Sequence, residues 1–143
     1  MKIREGWQVW LFGSKNDHSV GEDIRQRLIP GLREEAVNLS GDTSLAEAID
    51  LLSCADAVVS NDSGLMHVAA ALNRPLVAVY GSTSPGFTPP LADKVEVVRL
   101  GLECSPCFDR TCRFGHYNCL RQLLPQPVSD ALQRLQGSVV EVR

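Results

Sequence analysis

The fold is decided by residues 57–81, which run AVVSNDSGLMHVAAALNRPLVAVYG. The apolar run at 57–60 predicts a strand, because turn-forming residues follow it at 61–64. A helix is predicted next, with four apolar side chains on one face: Leu65, Val68, Ala69 and Leu72. Pro75 ends that helix, and residues 76–80 predict a second strand that stops at Gly81.

The same alternation continues on both sides of this segment. Further strands are predicted at residues 7–12, 36–39 and 95–98. A helix with Val20, Ile24 and Leu28 at four-residue spacing follows the first of them, and Pro30-Gly31 is predicted to end it.

Two more helices complete the pattern. One begins at the capping-box sequence Ser44-Leu45-Ala46-Glu47. The last is marked by an apolar face and closed by Gly137; its apolar residues are Val128, Ala131, Leu132 and Leu135. Residues 82–93, between two predicted strands, show neither helical nor strand periodicity. They are predicted to form a long loop, a type of segment that often carries function.

Strands that alternate with helices predict the α/β fold class, with a parallel sheet covered by helices on both faces. The length of 143 residues corresponds to about one domain. Arg4-Glu5-Gly6 has the pattern of a helix tail closed by a glycine. We therefore expect residues 1–143 to form one domain that lacks its first elements.

Charge and hydropathy exclude several classes of protein. The net charge is -3, from 14 Lys+Arg and 17 Asp+Glu, so no sequence-wide basic field is present to hold a nucleic acid. The N-terminal segment has no uninterrupted apolar core of a signal peptide, and no stretch reaches the roughly 20 apolar residues that span a bilayer. These features favour a cytosolic protein without a nucleic-acid partner.

Four of the five cysteines are clustered, at Cys104, Cys107, Cys112 and Cys119, with His116 among them. Thiolates can hold zinc or an iron–sulfur cluster, but a zinc ribbon would show a second C-x2-C pair. Reduced thiols that pack a loop are the alternative, and the prediction is no bound metal. Three nearby arginines could contact lipid phosphates or form a solvated face: Arg110, Arg113 and Arg121.

Three loops follow predicted strands and precede helical residues, which is where ligands bind in open parallel sheets. They are Gly13-Ser14, Gly41 to Ser44, and Asn61 to Gly64. In the third loop, Gly64 permits close approach of a ligand, and Asp62 can accept hydrogen bonds from sugar hydroxyls. This pattern suits a phosphorylated sugar. The alternative is that Asp62 or Ser63 only caps the helix and that His67 is structural.

Asn61 to Leu72, then Arg74-Pro75, and the segment Tyr80-Gly81-Ser82-Thr83-Ser84-Pro85 resemble the signature of the bacterial lipopolysaccharide heptosyltransferases, glycosyltransferase family 9. The resemblance runs from Gly6 to about Leu124 and includes the loop Phe87-Thr88-Pro89-Pro90. It implies a Rossmann-like sheet and the C-terminal, donor-binding half of a GT-B enzyme.

The resemblance also implies roles for individual residues. Asp62 would bind the heptose hydroxyls of ADP-heptose, and four neighbours would meet its diphosphate region: Ser63, Gly64, Leu65 and His67. Thr43 and Ser44 would border the adenosine, and Gly13 and Ser14 would lie nearest the ribose. Lys15 stands where some relatives have an acidic residue, so its role stays open.

The family's proposed catalytic base lies in the N-terminal domain and has no counterpart in this sequence. We therefore expect no catalytic residue in these 143 residues and no heptosyl transfer by this chain alone. The resemblance implies the ADP-L-glycero-D-manno-heptose donor, a lipopolysaccharide inner-core acceptor held by the other domain, and no cofactor or metal. It places the enzyme in the cytoplasm, at the inner face of the inner membrane, and leaves peripheral membrane contact open.

Two other functions remain open from the sequence. One is a GT-B enzyme that uses a different sugar nucleotide, and preference for UDP over ADP would reveal it. The other is a non-catalytic metal-binding or interaction module built on the cysteine cluster, and bound zinc or iron would reveal it.

Overall fold

A computed structural model describes residues 6–137. The chain divides into two compact units, one up to Asp50 and one from Leu51 onward. The predicted helix tail at Arg4-Glu5 lies outside the described residues, while Gly6 has a φ of +83°.

The first unit contains two parallel strands and the helices that connect them. Strand β1 pairs with β2 in the register Val9 to Ala36, Trp10 to Val37 and Leu11 to Asn38. The elements in chain order are β1 (Val9–Leu11), a 3-10 helix (Lys15–Asp17), α1 (His18–Gln26), α2 (Pro30–Arg33), β2 (Ala36–Asn38) and the start of α3 (Leu45–Ser53).

Polar contacts fix helix α1 against strand β2. The Arg25 Nε donates a hydrogen bond of 2.6 Å to the carbonyl of Ala36, and the Asn38 side-chain amide donates to the carbonyl of His18 and to Glu22, each at 3.0 Å. Gly21 is buried at this contact. A Cβ at this position would lie 2.4 Å from the Asn38 Oδ1, so the close approach of α1 to Asn38 requires glycine.

The helix predicted at Val20 and Ile24 is confirmed, and both side chains are exposed. The predicted end of this helix was wrong, because α1 ends at Gln26. Pro30 is instead the first residue of α2, where its fixed φ and missing N–H cost nothing.

The second unit contains a parallel sheet of three strands in the order β3-β4-β5. Val58 pairs with Leu76, and Leu76 pairs with Val95. The elements after α3 are β3 (Val58–Asn61), α4 (Gly64–Ala71), β4 (Leu76–Val79), β5 (Val95–Val98), α5 (Asn118–Arg121) and α6 (Pro125–Gly137). The strands and helices predicted for this region are thus confirmed, with ends shifted by a few residues.

Strand β4 is the centre of the second unit, because helices cover both of its faces. Leu76 and Ala78 pack with Met66, Ala69, Ala70 and Tyr80, mostly from α4. On the other face, Val77 packs with Val98 and with the α6 residues Ala131, Leu132 and Leu135. An uninterrupted apolar strand is what a doubly covered parallel sheet requires.

The predicted face of α4 was wrong in part. The buried residues are Met66, Ala69 and Ala70, whereas Leu65, Val68 and Leu72 are only half-buried. Apolar residues surround most of this helix, so their spacing could not select the side that meets the sheet.

The α/β class with parallel strands is confirmed in both units. Among the helices of residues 6–137, none has the length and apolar character needed to cross a bilayer.

Gly41, after β2, is a position where both backbone and space require glycine. Its φ is +81°, and an added Cβ would lie 2.6 Å from the Lys15 Cα. We expect Gly41→Ala to lower the free energy of unfolding by about 2 kcal/mol or more, from strain and the clash with backbone. Urea unfolding measures the effect.

Gly31→Ala is the matched control. Gly31 lies in α2, and an added Cβ would meet no atom within 4 Å. Alanine there should leave stability unchanged or raise it by roughly 0.5–1 kcal/mol. Equal losses in the two variants would contradict the assignment of a special role to Gly41.

Candidate functional site

The junction between β3 and α4 carries the central predicted site residues. Ser63 is the N-cap of α4: it has extended backbone angles, and its hydroxyl accepts a hydrogen bond of 3.4 Å from the Met66 N–H. The open choice between Asp62 and Ser63 as the cap is thereby settled in favour of Ser63. The Asp62 carboxylate is available for another role.

Asp62 directly follows β3, and its side chain is 14% exposed. Its Oδ2 accepts a hydrogen bond of 2.9 Å from the Thr88 hydroxyl. Its Oδ1 lies 4.0 Å from the His67 Nε2, and the His67 side chain is 47% exposed. A carboxylate, a hydroxyl and an imidazole therefore meet at the carboxyl end of this sheet.

The first turn of α4 offers main-chain donors beside this carboxylate. The Ser63 hydroxyl accepts a hydrogen bond from the Met66 N–H, and the His67 N–H donates to the Ser63 carbonyl at 3.4 Å. Among residues 6–137, no acceptor is found for the N–H groups of Gly64 and Leu65. Unpaired N–H groups at the positive end of a helix favour an anion such as phosphate.

A side chain added at Gly64 would enter open space. A Cβ at this position would meet no atom within 4 Å, and Gly64 is exposed. Its backbone has no positive φ, so the local fold does not require glycine at this position. Leu65 is half-buried.

Tyr80 and Thr88 belong to this site and were missed as site residues in the sequence. Tyr80 follows β4, is 1% exposed, and donates a hydrogen bond of 2.5 Å to the Thr88 carbonyl. Burial is the main cause that raises the pKa of the Tyr80 hydroxyl, and the charge of Asp62 raises it further. A contact across 26 residues, such as Thr88 to Asp62, leaves no periodic signal in the sequence.

The predicted residues of the first unit form a second group. The Gly41 N–H bonds the Gly13 carbonyl at 3.0 Å, so the loops after β1 and β2 meet. The Ser14 hydroxyl and N–H donate to the Asp17 Oδ2 at 2.6 and 2.8 Å, and both bonds lower the pKa of Asp17. Lys15 is exposed.

Ser44 forms the predicted capping box of α3. Its hydroxyl donates to the Glu47 Oε2 at 2.7 Å and accepts from the Glu47 N–H at 3.3 Å. The bonds from the Ser44 hydroxyl and from the Ser44 N–H to the Glu47 Oε2, each 2.7 Å, lower the pKa of Glu47. Thr43 is half-buried beside it. Ser14 and Ser44 thus each have a local structural role that would have to coexist with nucleotide binding.

The cysteine-rich segment packs against the end of β4. The Cys107 and Phe108 N–H groups donate to the Ser82 carbonyl at 3.0 and 2.8 Å, and the Ser105 hydroxyl donates to the Gly81 carbonyl. A Cβ on Gly81 would lie 2.7 Å from Leu120, so the segment approaches the strand closely. The segment therefore contacts the start of the loop that carries Thr88.

All four clustered thiols are free and half-buried. Cys112 Sγ lies 3.9 Å from the His116 Nδ1, and the backbone N–H of Tyr117 is the largest cause that lowers the pKa of Cys112. Among residues 6–137, no group of three or more His, Cys, Asp or Glu residues is arranged to hold a metal ion.

Two of the three arginines of this segment, Arg113 and Arg121, have partners of their own. Arg113 forms an ion pair of 2.8 Å with Asp109, which raises the pKa of Arg113. The Arg121 guanidinium lies 5.4 Å from the centre of the Tyr117 ring. Contact of these arginines with a lipid phosphate remains a prediction.

A parallel sheet whose strand ends present a carboxylate beside unpaired helix amides defines a class of α/β domains suited to ligands that carry phosphate. The model of glycosyltransferase family 9 (heptosyltransferase) matches residues 1–118, so the chain belongs to this family.

The chain is similar to curated heptosyltransferases. It is 60% identical over 100 residues to lipooligosaccharide heptosyltransferase 2 of Haemophilus influenzae, which covers 70% of this chain and 29% of that protein. It is 46% identical over 133 residues to lipopolysaccharide heptosyltransferase 2 of Escherichia coli K12, covering 93% of this chain and 38% of that protein. The chain thus spans less than two fifths of the length of these relatives.

Solved structures agree with the fold. The structure of E. coli ADP-heptose LPS heptosyltransferase II matches with a TM-score of 0.82 and 45% identity, over 95% of this chain and 38% of that chain. A family 9 glycosyl transferase from Veillonella parvula matches with a TM-score of 0.78 at 22% identity, which supports the fold alone.

The Tyr80 phenol should ionise above its ordinary pKa of 10.0, because burial and the Asp62 charge disfavour phenolate. The variant Tyr117→Phe leaves Tyr80 as the remaining tyrosine, since the sequence has two. In that background, ultraviolet titration should show Asp62→Asn lowering the phenol midpoint.

The sign for stability follows from the raised pKa. The contribution of Tyr80 is fully present below its unfolded-state pKa and is lost as pH rises through the higher folded-state value. An unchanged midpoint in Asp62→Asn would contradict the coupling of these two groups.

We expect no stoichiometric metal in the cysteine-rich segment, because the second C-x2-C pair of a zinc ribbon is missing. Elemental analysis after anaerobic purification tests this. About one zinc or a full iron–sulfur complement per chain would overturn it and make Cys104, Cys107, Cys112 and Cys119 the candidate ligands.

Proposed function

We propose that residues 1–143 are the donor-binding part of a heptosyltransferase that transfers heptose from ADP-L-glycero-D-manno-heptose to the inner core of lipopolysaccharide. The observation that carries the proposal is Asp62: its carboxylate does not cap the helix, and it precedes the Gly64 and Leu65 N–H groups, which have no acceptor among residues 6–137. Family membership and the names of the relatives support the reaction class.

The two chemical parts of the sugar-nucleotide donor would contact different groups of the site. The diphosphate is anionic, so it suits the Gly64 and Leu65 N–H groups at the positive end of α4. The heptose carries hydroxyl donors, so it suits the Asp62 carboxylate. His67 is exposed with its Nε2 4.0 Å from the Asp62 Oδ1, and it would supply a further donor when this nitrogen carries a proton.

The chain's own residues would then act on the leaving group. Negative charge develops on the departing ADP as the bond to the anomeric carbon breaks. Fixed N–H groups aimed at that charge stabilise the transition state without reorganisation, in the way an oxyanion hole does. No residue of this chain is proposed as the base that activates the acceptor hydroxyl.

The remaining assignments are proposals of lower detail. Gly13, Ser14, Thr43 and Ser44 would border the ribose and adenosine. The lipopolysaccharide acceptor would be held by a different domain of the enzyme from the donor-binding part. The reaction would take place at the cytoplasmic face of the inner membrane.

Asp62→Ala should weaken the binding of ADP-heptose more than the binding of ADP. Only ADP-heptose has the heptose hydroxyls that would donate hydrogen bonds to the carboxylate. A lost hydrogen bond to a charged acceptor costs about 1.5–3 kcal/mol, or roughly 10- to 150-fold in affinity. Calorimetric titration of the complete protein with ADP-heptose, ADP and UDP measures this selectivity.

Asp56→Ala is the matched control, since Asp56 is exposed and precedes β3 at its opposite end. That variant should bind both ligands as the unmodified protein does. Equal weakening of ADP and ADP-heptose by Asp62→Ala would remove Asp62 from sugar recognition. Tighter binding of UDP than ADP would identify a different sugar-nucleotide enzyme.

A further inference from the structure

The loop at residues 82–93 reaches from the end of β4 to the end of the neighbouring strand β3. Its anchor is Thr88, which is held from both sides. The buried Tyr80 hydroxyl donates to the Thr88 carbonyl at 2.5 Å, and the Thr88 N–H donates to the Ser84 carbonyl at 3.1 Å. The main chain of Thr88 is therefore fixed by bonds that do not involve Asp62.

The Thr88 hydroxyl has two acceptors within reach, the Asp62 Oδ2 at 2.9 Å and the Ser84 carbonyl at 3.3 Å. Its single proton goes to the closer and more strongly accepting carboxylate. The bond constrains the orientation of Asp62 and occupies one side of Oδ2, which leaves Oδ1 and the remaining lone pairs for a ligand.

We propose that Thr88 is a positioning residue that orients the Asp62 carboxylate for the sugar of the donor, and that Tyr80 holds Thr88 in place for this purpose. The inference rests on the proposed function of Asp62. Without the Thr88 hydroxyl, the carboxylate would be free to turn, including toward His67, whose Nε2 lies 4.0 Å from Oδ1. Binding of the sugar would then have to order the carboxylate as well.

Thr88→Val tests the proposal because it replaces the hydroxyl by a methyl group of similar size. On the complete protein, calorimetric titration should show ADP-heptose bound roughly 5- to 20-fold more weakly and ADP bound unchanged. Thr88→Ser keeps the hydroxyl and should restore most of the loss. Thr111→Val is the matched control, since Thr111 is exposed and makes no side-chain hydrogen bond within the described residues.

Tyr80→Phe tests the anchor separately, since it removes one oxygen and keeps the ring that packs against Met66. Tyr80→Phe should weaken the binding of ADP-heptose, by a smaller factor than Thr88→Val does. Unchanged binding in Tyr80→Phe would overturn the role of Tyr80.

The outcomes separate this proposal from the one it rests on. If Asp62→Ala is selective for ADP-heptose but Thr88→Val changes neither ligand, Thr88 does not position Asp62 while the proposed function stands. If Thr88→Val weakens ADP equally, or if Thr88→Ser fails to restore binding, the role of the hydroxyl is overturned. If Asp62→Ala itself shows no selectivity, both proposals fail.

Discussion

Burial of β4 on both faces is the constraint on which the second unit depends. Leu76, Val77 and Ala78 are each fully buried, and each pairs with neighbouring strands on both sides. A strand in this position cannot move without opening two apolar clusters and two hydrogen-bonded ladders. Tyr80 directly follows this strand and is buried in the same cluster as Leu76 and Ala78, which supports its proposed role as the anchor of the loop at residues 82–93.

The sequence predicted most of the architecture because its signals are local. Strand β4 is a short apolar run between Pro75 and Gly81, and α3 begins at a capping box whose two partners are three residues apart. Patterns of this kind depend only on residues that are close in the chain, and the structure contains the elements that they predict with nearly the same bounds. Side-chain spacing was less informative for α4, where apolar residues on most sides gave no preferred face, and for α1, where Val20 and Ile24 stay exposed.

The site was predictable in part for the same reason. The strand, turn and helix around Asp62 are continuous in sequence, so their placement followed from the fold class. The roles of Thr88 and Tyr80 depend on contacts formed only when the loop folds back, and nothing near them in the chain indicates those contacts. The choice of Ser63 as the cap likewise required the bond from Met66, which spacing alone could not assign.

The amides of Gly64 and Leu65 belong to the main chain, which has a consequence for drug resistance. Apart from proline, no substitution removes a backbone N–H, so an inhibitor that draws its affinity from these groups would be difficult to evade by point mutation. The vulnerable position is Gly64, where any side chain would extend into open space next to the N–H of that residue. A compound that instead relies on the Thr88 hydroxyl would lose its contact through one conservative replacement.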